Sequence, residues 1–266
     1  MSYYTHKLLY PRQMNLLRTL AQSGLRVFSL EDAFKLLQEN GLSETYSKKV
    51  LHLMGKKGDL QVLGNGLYAL PTELLSGGPL HSFEIGMKIV KKGAISHRSA
   101  MFFYQMTDQI LTEVYITVPR TDEANRSTRV NYFVDNTRFH IKRVDNKNFF
   151  GIKRIFIEEA PVWITDLEKT LLDGLIDPHL CGGFREVMHA FDQSYNKINP
   201  DKFMEYINRM PVVIAKRAGW LFEKMQCLED LQERLVIIHN KTIQRLNPKG
   251  IRKGSLNKRW ALMENI

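Results

Sequence analysis

Over the first seventy residues the apolar positions fall into three short groups at helical spacing, followed by two short runs. Met14, Leu17, Leu20 and Ala21 follow Pro11 and stop at Gly24, which predicts a helix with proline in its opening turn. Ser29 is placed to cap a second helix, whose Leu30, Ala33, Phe34 and Leu37 keep the i, i+3, i+4, i+7 rule before Asn40-Gly41 ends it. Ser43 is placed to cap a third, with Tyr46, Val50, Leu53 and Met54 as its apolar face and Gly58 as its stop. Leu60 to Leu63, Gly64-Asn65-Gly66 and Leu67 to Leu70 then read as strand, tight turn and strand.

Three helices with a short turn between the second and third, followed by a β-hairpin, is the order of a winged helix-turn-helix domain. The third helix would then enter the major groove of DNA. At 100° per residue, Thr45, Lys48, Lys49, His52 and Lys56 share an arc of roughly 100° opposite the apolar face. Lys48, Lys49 and Lys56 suit phosphate contacts, Thr45, Ser47 and His52 suit base edges, and Asn65 at the wing tip suits a minor-groove or backbone contact.

Pro71 ends the hairpin, and Ser76-Gly77-Gly78-Pro79 breaks the composition. The expected organisation is a first domain over 1–75, a linker over 76–79 and a second domain over 80–266. Beyond the break, Phe83 to Val90 and Ser96 to Met106 read as helices, and Val114 to Val118, Tyr132 to Val134, Phe139 to Val144 and Ile152 to Ile157 as strands. From Thr165 the pattern turns helical. Thr165-Asp166-Leu167-Glu168 before Leu171, Leu172 and Leu175 predicts a capping box and an amphipathic helix, with both acids structural. Further helices are expected from Phe184, from Asn199-Pro200, over Val212 to Met225 and over Leu228 to His239. The fold class is therefore α+β: a winged helix-turn-helix, then a mixed α/β domain with a helical C-terminal portion.

Composition and charge narrow the function. The chain of 266 residues is 44% hydrophobic and 25% charged, as in a soluble globular protein, and has no apolar run long enough to span a membrane. Residues 1–10 lack the apolar core of a signal peptide, so a cytoplasmic location is expected. Cys181 and Cys227 are too few for a disulfide framework and read as small core or loop residues. The net charge is +10 and unevenly spread. Residues 1–75 carry nine Lys and Arg against six acids, 76–238 are within one charge of neutral, and 239–266 carry seven against one. Positive ends on a neutral body suit a partner bearing phosphates.

Several short segments together resemble the AbiEi family of antitoxins and transcriptional regulators. They are the helix-and-wing pattern, Ile95-Ser96-His97-Arg98-Ser99-Ala100, Asp166-Leu167-Glu168-Lys169-Thr170-Leu171-Leu172-Asp173, Cys181-Gly182-Gly183 and Lys216-Arg217-Ala218-Gly219-Trp220-Leu221. Leu246-Asn247-Pro248, Gly254 and Trp260 extend the similarity almost to the end, while Ala218 and Trp220 depart from the family's Arg-Leu-Gly-Tyr-like run. The resemblance implies a non-enzymatic antitoxin of a type IV toxin-antitoxin system. Its first domain would bind inverted repeats in its own promoter as an autorepressor, and its second would counteract a nucleotidyltransferase-like toxin. Because one winged helix covers a half-site, an inverted repeat would need two copies, as a preformed dimer or as monomers meeting on DNA.

Other chemistry is weaker. Asp135 with Asp145-Asn146-Lys147 loosely imitates the acid and acid-x-Lys pattern by which nucleases hold Mg²⁺, but Asp and Asn at polar turns are common for local reasons. His179, Cys181 and His189 make an incomplete zinc set. No phosphate-gripping glycine loop occurs, and no cofactor or metal is implied. His97 and Arg98, at an expected helix start, are candidate anion or DNA contacts, as are Arg252, Lys253, Lys258 and Arg259 in the basic tail. The alternatives to an antitoxin are a winged-helix regulator with a ligand- or protein-sensing second domain, and a metal-dependent nuclease.

Overall fold

The computed structural model describes residues 16–38, 43–74, 78–120, 131–238 and 240–266. Pro11 and Met14 of the expected first helix, Asn40-Gly41, Ser76-Gly77 and His239 lie outside the described residues. The fold is α+β, and the chain divides into two compact units. Unit 1 comprises Met1–Lys91, Tyr132–Arg138 and Phe156–Val162; unit 2 comprises Lys92–Asn131, Phe139–Ile155 and Trp163–Ile266.

In unit 1 the order is α1 (16–22), β1 (Val27–Ser29), α2 (Leu30–Gln38), α3 (Glu44–Lys57), β2 (Gln61–Gly64), β3 (Leu67–Ala69) and α4 (Ser82–Ile89). The strands form an antiparallel sheet in the order β1-β3-β2, with Phe28 opposite Tyr68. Strand β1 was not foreseen: three residues are too short to show alternation. Ser29 caps α2 as expected. Its hydroxyl accepts from the Asp32 amide at 3.1 Å while the Asp32 carboxylate accepts from the Ser29 amide at 3.0 Å, a reciprocal box that satisfies two helix-end donors. Ser43 caps α3, and Gly58 ends it at φ 82, a left-handed conformation that costs glycine nothing. Leu20, Phe28, Leu51 and Met54 fill the core between the helices and the sheet.

The expected linker is not where unit 1 stops. The Arg26 guanidinium donates to the carbonyls of Gly78 at 2.9 Å and Pro79 at 3.0 Å and pairs with the buried Glu84 at 3.5 Å. Lys88 reaches Asp32 at 3.4 Å. These contacts hold α4 to unit 1, so the division falls after Lys91 rather than at 76–79.

The remaining elements are β4 (Ala94–Ile95), α5 (His97–Phe103), β5 (Glu113–Pro119), β6 (Asn131–Val134), β7 (Thr137–Val144), β8 (Ile152–Ile157), β9 (Ala160–Thr165), α6 (Leu167–Ile176), α7 (Phe184–Asp192), α8 (Pro200–Ile207), α9 (Val212–Lys224), α10 (Glu229–Ile238), β10 (Gln244–Arg245), β11 (Ser255–Asn257) and β12 (Leu262–Glu264). A six-stranded sheet runs β6-β7-β5-β4-β9-β8, with β4 antiparallel to β5 and parallel to β9.

Helix α6 is the centre of unit 2 rather than an amphipathic surface helix, since every residue from Glu168 to Leu175 is buried. Its cap is Asp166, not Thr165: the Asp166 carboxylate accepts from the Lys169 amide at 2.9 Å. Glu168 does not close a capping box. It accepts from the Asn199 amide at 3.0 Å and pairs with Lys202 at 3.0 Å, tying α6 to the start of α8. The C-terminal segment folds as a small sheet, β10-β12-β11, against α9. Its anchor is Trp260, fully buried over Gly219, where a Cβ would lie 2.1 Å from a ring carbon.

Candidate functional site

The buried stripe of α3 is Ser47, Val50, Leu51 and Met54. This spacing turns the opposite face, Thr45, Lys48, Lys49, His52 and Lys56, wholly to solvent. Thr45, Lys48, Lys49 and His52 border a shallow groove of about 350 Å³, whose remaining walls are Leu30 of α2 and Tyr68 of β3. Tyr68 and Leu30 were missed by sequence reasoning. The signal was present for Tyr68, because Leu67 and Ala69 on either side of it are buried and strand alternation sends the residue between them to the other face.

None of Lys48, Lys49 and Lys56 has an ion-pair partner among the described residues, whereas Lys35 on α2 is held by Glu31 at 3.1 Å. The lysines on the α3 face are thus free to meet an external anion. Asn65 is exposed at the tip of the β2–β3 hairpin with φ 52, flanked by Gly64 at φ 95 and Gly66 at φ 76. Three successive left-handed residues need this Gly-Asn-Gly sequence.

Ser47 is the exception. It is 1% exposed and its hydroxyl donates to the Ser43 carbonyl at 2.9 Å, so it packs inside unit 1 and is unable to read a base. The helical period gives the reason: Ser47 lies about 200° from Thr45, between Met54 and Leu51 in the buried stripe.

The comparisons with known proteins bear on the fold. Neither protein-family models nor curated proteins give a match. The architecture, however, has a solved counterpart. The chain is similar to the RV2827C protein from Mycobacterium tuberculosis, with a TM-score of 0.66 at 13% identity over 92% of this chain and 88% of that chain. At that identity the similarity is one of α+β fold.

The other sequence-predicted positions separate on inspection. His97 is 3% exposed at the start of α5, with φ 51 and Nδ1 2.9 Å from the Ser96 hydroxyl. Burial pushes its pKa down to about 4, against the opposing pull of Asp173 and Asp177, so at neutral pH it is an uncharged interior side chain and not a surface anion contact. Arg98 is half-buried and donates to Gln109 Oε1 at 2.6 Å.

In the tail, Arg252, Lys253 and Lys258 are exposed, but Arg259 is engaged by Glu223 and Glu233, each at 2.8 Å, and belongs to the scaffold around Trp260. Asp135 and Asp145 sit at opposite ends of β7, which at about 3.3 Å per residue sets them too far apart to share an ion. Asp145 instead pairs with Arg120 at 3.2 Å. Cys181 is buried, and burial raises its thiol well above the usual range. His189 faces Asp108 at 3.6 Å, and no group of three or more His, Cys, Asp or Glu suited to a metal occurs among the described residues. Among the same residues no helix is long and apolar enough to cross a membrane.

Proposed function

We propose that unit 1 is a winged helix in which α3 is the recognition helix and the β2–β3 hairpin the wing. On this reading the chain is an AbiEi-like antitoxin that binds inverted repeats in its own promoter, represses its transcription from the cytoplasm, and through unit 2 counteracts a nucleotidyltransferase-like toxin. The observation that carries the DNA-binding part is the exposed face Lys48, Lys49, His52 and Lys56, without ion-pair partners among the described residues, on the helix directly before a Gly-Asn-Gly hairpin. The element order α1-β1-α2-α3-β2-β3, with the sheet order β1-β3-β2, supports the same reading. The resemblance of the unit 2 segments to the AbiEi family supports the antitoxin part.

Two copies on an inverted repeat, each neutralising three phosphates with Lys48, Lys49 and Lys56, give a log-log salt slope of about −5. Affinity for duplex DNA from upstream of the reading frame is therefore expected to fall about 10³-fold between 50 and 200 mM salt, as read by fluorescence anisotropy. A flat salt dependence, or equal affinity for scrambled DNA, would contradict the proposal.

A further inference from the structure

Unit 2 contains a cavity of about 210 Å³, bordered by several charged side chains, that DNA binding does not use. Three buried groups line it: His97 from the start of α5 and the ion-paired Lys169 and Asp173 from consecutive turns of α6. The side chains of Lys169 and Asp173 are 4% and 9% exposed, and Asp173 Oδ2 has no hydrogen-bond partner among the described residues. Folded interiors rarely bury such a pair with a carboxylate oxygen left over, because an unpaired charged acceptor away from water is strongly unfavourable.

The surroundings hold this arrangement in place. His97 adopts φ 51, a left-handed conformation that is uncommon for a non-glycine residue. Its Nδ1 is 2.9 Å from the Ser96 hydroxyl, which in turn accepts from Thr117 Oγ1 at 2.8 Å. Gly151, at φ 65, lets the backbone come so close to Lys169 that an added Cβ would lie 2.8 Å from the lysine Cβ.

Three cations border the same cavity: Arg120, Lys142 and Arg143. Lys142 is shared with Asp177 at 2.8 Å and Arg120 with Asp145 at 3.2 Å. Arg143 is half-buried and has no hydrogen-bond or ion-pair partner among the described residues. A planar guanidinium in that position suits bidentate capture of a phosphate, and because its two cationic neighbours are each paired with an aspartate, Arg143 supplies the uncompensated positive charge. The acceptor left over on Asp173 calls for a ligand that also brings hydroxyl donors. At about 30 Å³ per water, the space holds roughly seven waters, enough for a phosphate and a short hydroxylated chain.

We infer that this cavity is a binding site for a small phosphate monoester bearing hydroxyl groups, its phosphate on Arg143 with Arg120 and Lys142 and its hydroxyls toward the Lys169–Asp173 pair. The site lies within unit 2 and does not depend on the DNA-binding reading. The test is calorimetric titration of the full chain with ribose 5-phosphate, glycerol 3-phosphate and inorganic phosphate. Saturable binding of one of the two esters is expected, at least tenfold tighter than inorganic phosphate and at least tenfold weaker in Arg143→Ala, a half-buried position outside the core. Asp173→Asn, checked for folding by circular dichroism, is expected to narrow the ester's advantage over inorganic phosphate. Absence of saturable binding of either ester up to 10 mM, ester binding no tighter than inorganic phosphate, or an unchanged affinity in Arg143→Ala would overturn the inference.

Discussion

Replacing Trp260 by Ala will destabilise the chain by about 3–5 kcal/mol, the range for removing a large aromatic ring from a packed interior. Trp260 is fully buried, its ring lies on the backbone of α9 at Gly219, and its indole N–H donates to Glu223. Truncation empties that space and leaves the Arg259 pairs with Glu223 and Glu233 without the ring that braces them. The contact is specific enough to reverse the sign of a second substitution. Gly219→Ala alone forces a methyl group onto the indole and is expected to cost about 1–3 kcal/mol. Made in the Trp260→Ala chain, the same change meets no ring and gains about 0.5–1 kcal/mol of helix propensity. Urea unfolding of the wild type, both single variants and the double variant measures all three values. Additive losses would show that Gly219 and Trp260 do not touch.

The second large effect is on acid stability and comes from His97. Unfolded, this imidazole takes up a proton below its ordinary value of 6.5; folded, burial delays uptake until about 4. The unfolded chain therefore binds more protons between those values, and stability that is intact above pH 6.5 is lost as pH falls toward 4. At about 1.36 kcal/mol per pKa unit, His97 accounts for roughly 2–3 kcal/mol of the loss between pH 7 and pH 4.5. His97→Asn keeps a residue tolerant of positive φ and removes the titrating group. Its urea midpoint is expected to fall less between the two pH values, by the equivalent of that energy. An identical acid limb in both proteins would show that His97 does not carry it.

Several short segments singled out in the sequence hold unit 2 together through contacts that a local reading does not reveal. The Lys216 ammonium donates to the Thr242 carbonyl, and the Arg217 guanidinium donates to the Leu175 carbonyl at 2.7 Å and to the Arg245 carbonyl at 3.0 Å. Gly219 makes room for Trp260, and the Asp166 carboxylate accepts from the Tyr206 hydroxyl at 2.8 Å. Each residue satisfies a partner far away in sequence, so its purpose is invisible in a local window.

Helices and the Gly-Asn-Gly hairpin were legible because they have a period or a turn signature. Strands β1, β4, β10, β11 and β12, of two or three residues each, have neither. Strand β9 was not foreseen, and Pro161 lies within it. It stands exposed near the strand's start, and Val162 and Ile164 point inward around an outward Trp163. The Ser76-Gly77-Gly78-Pro79 run read as a linker because the hold of Gly78 and Pro79 on Arg26 is a tertiary contact between their carbonyls and a side chain more than fifty residues earlier. Ser47 was within reach of the sequence, since helical angle alone places it inward, and residue type was allowed to outweigh geometry.

The most direct measurement is of the α3 face itself. Lys48, Lys49 and His52 are replaced together by Ala, all three being exposed positions whose loss leaves the core of unit 1 intact. Circular dichroism and the urea midpoint of the triple variant should match the wild type. In a gel shift with duplex DNA from upstream of the reading frame, the variant is expected to bind at least 100-fold more weakly, each copy having lost two phosphate contacts and a base-reading side chain. A folded triple variant that binds this DNA as tightly as the wild type would contradict the assignment of α3 as the recognition helix.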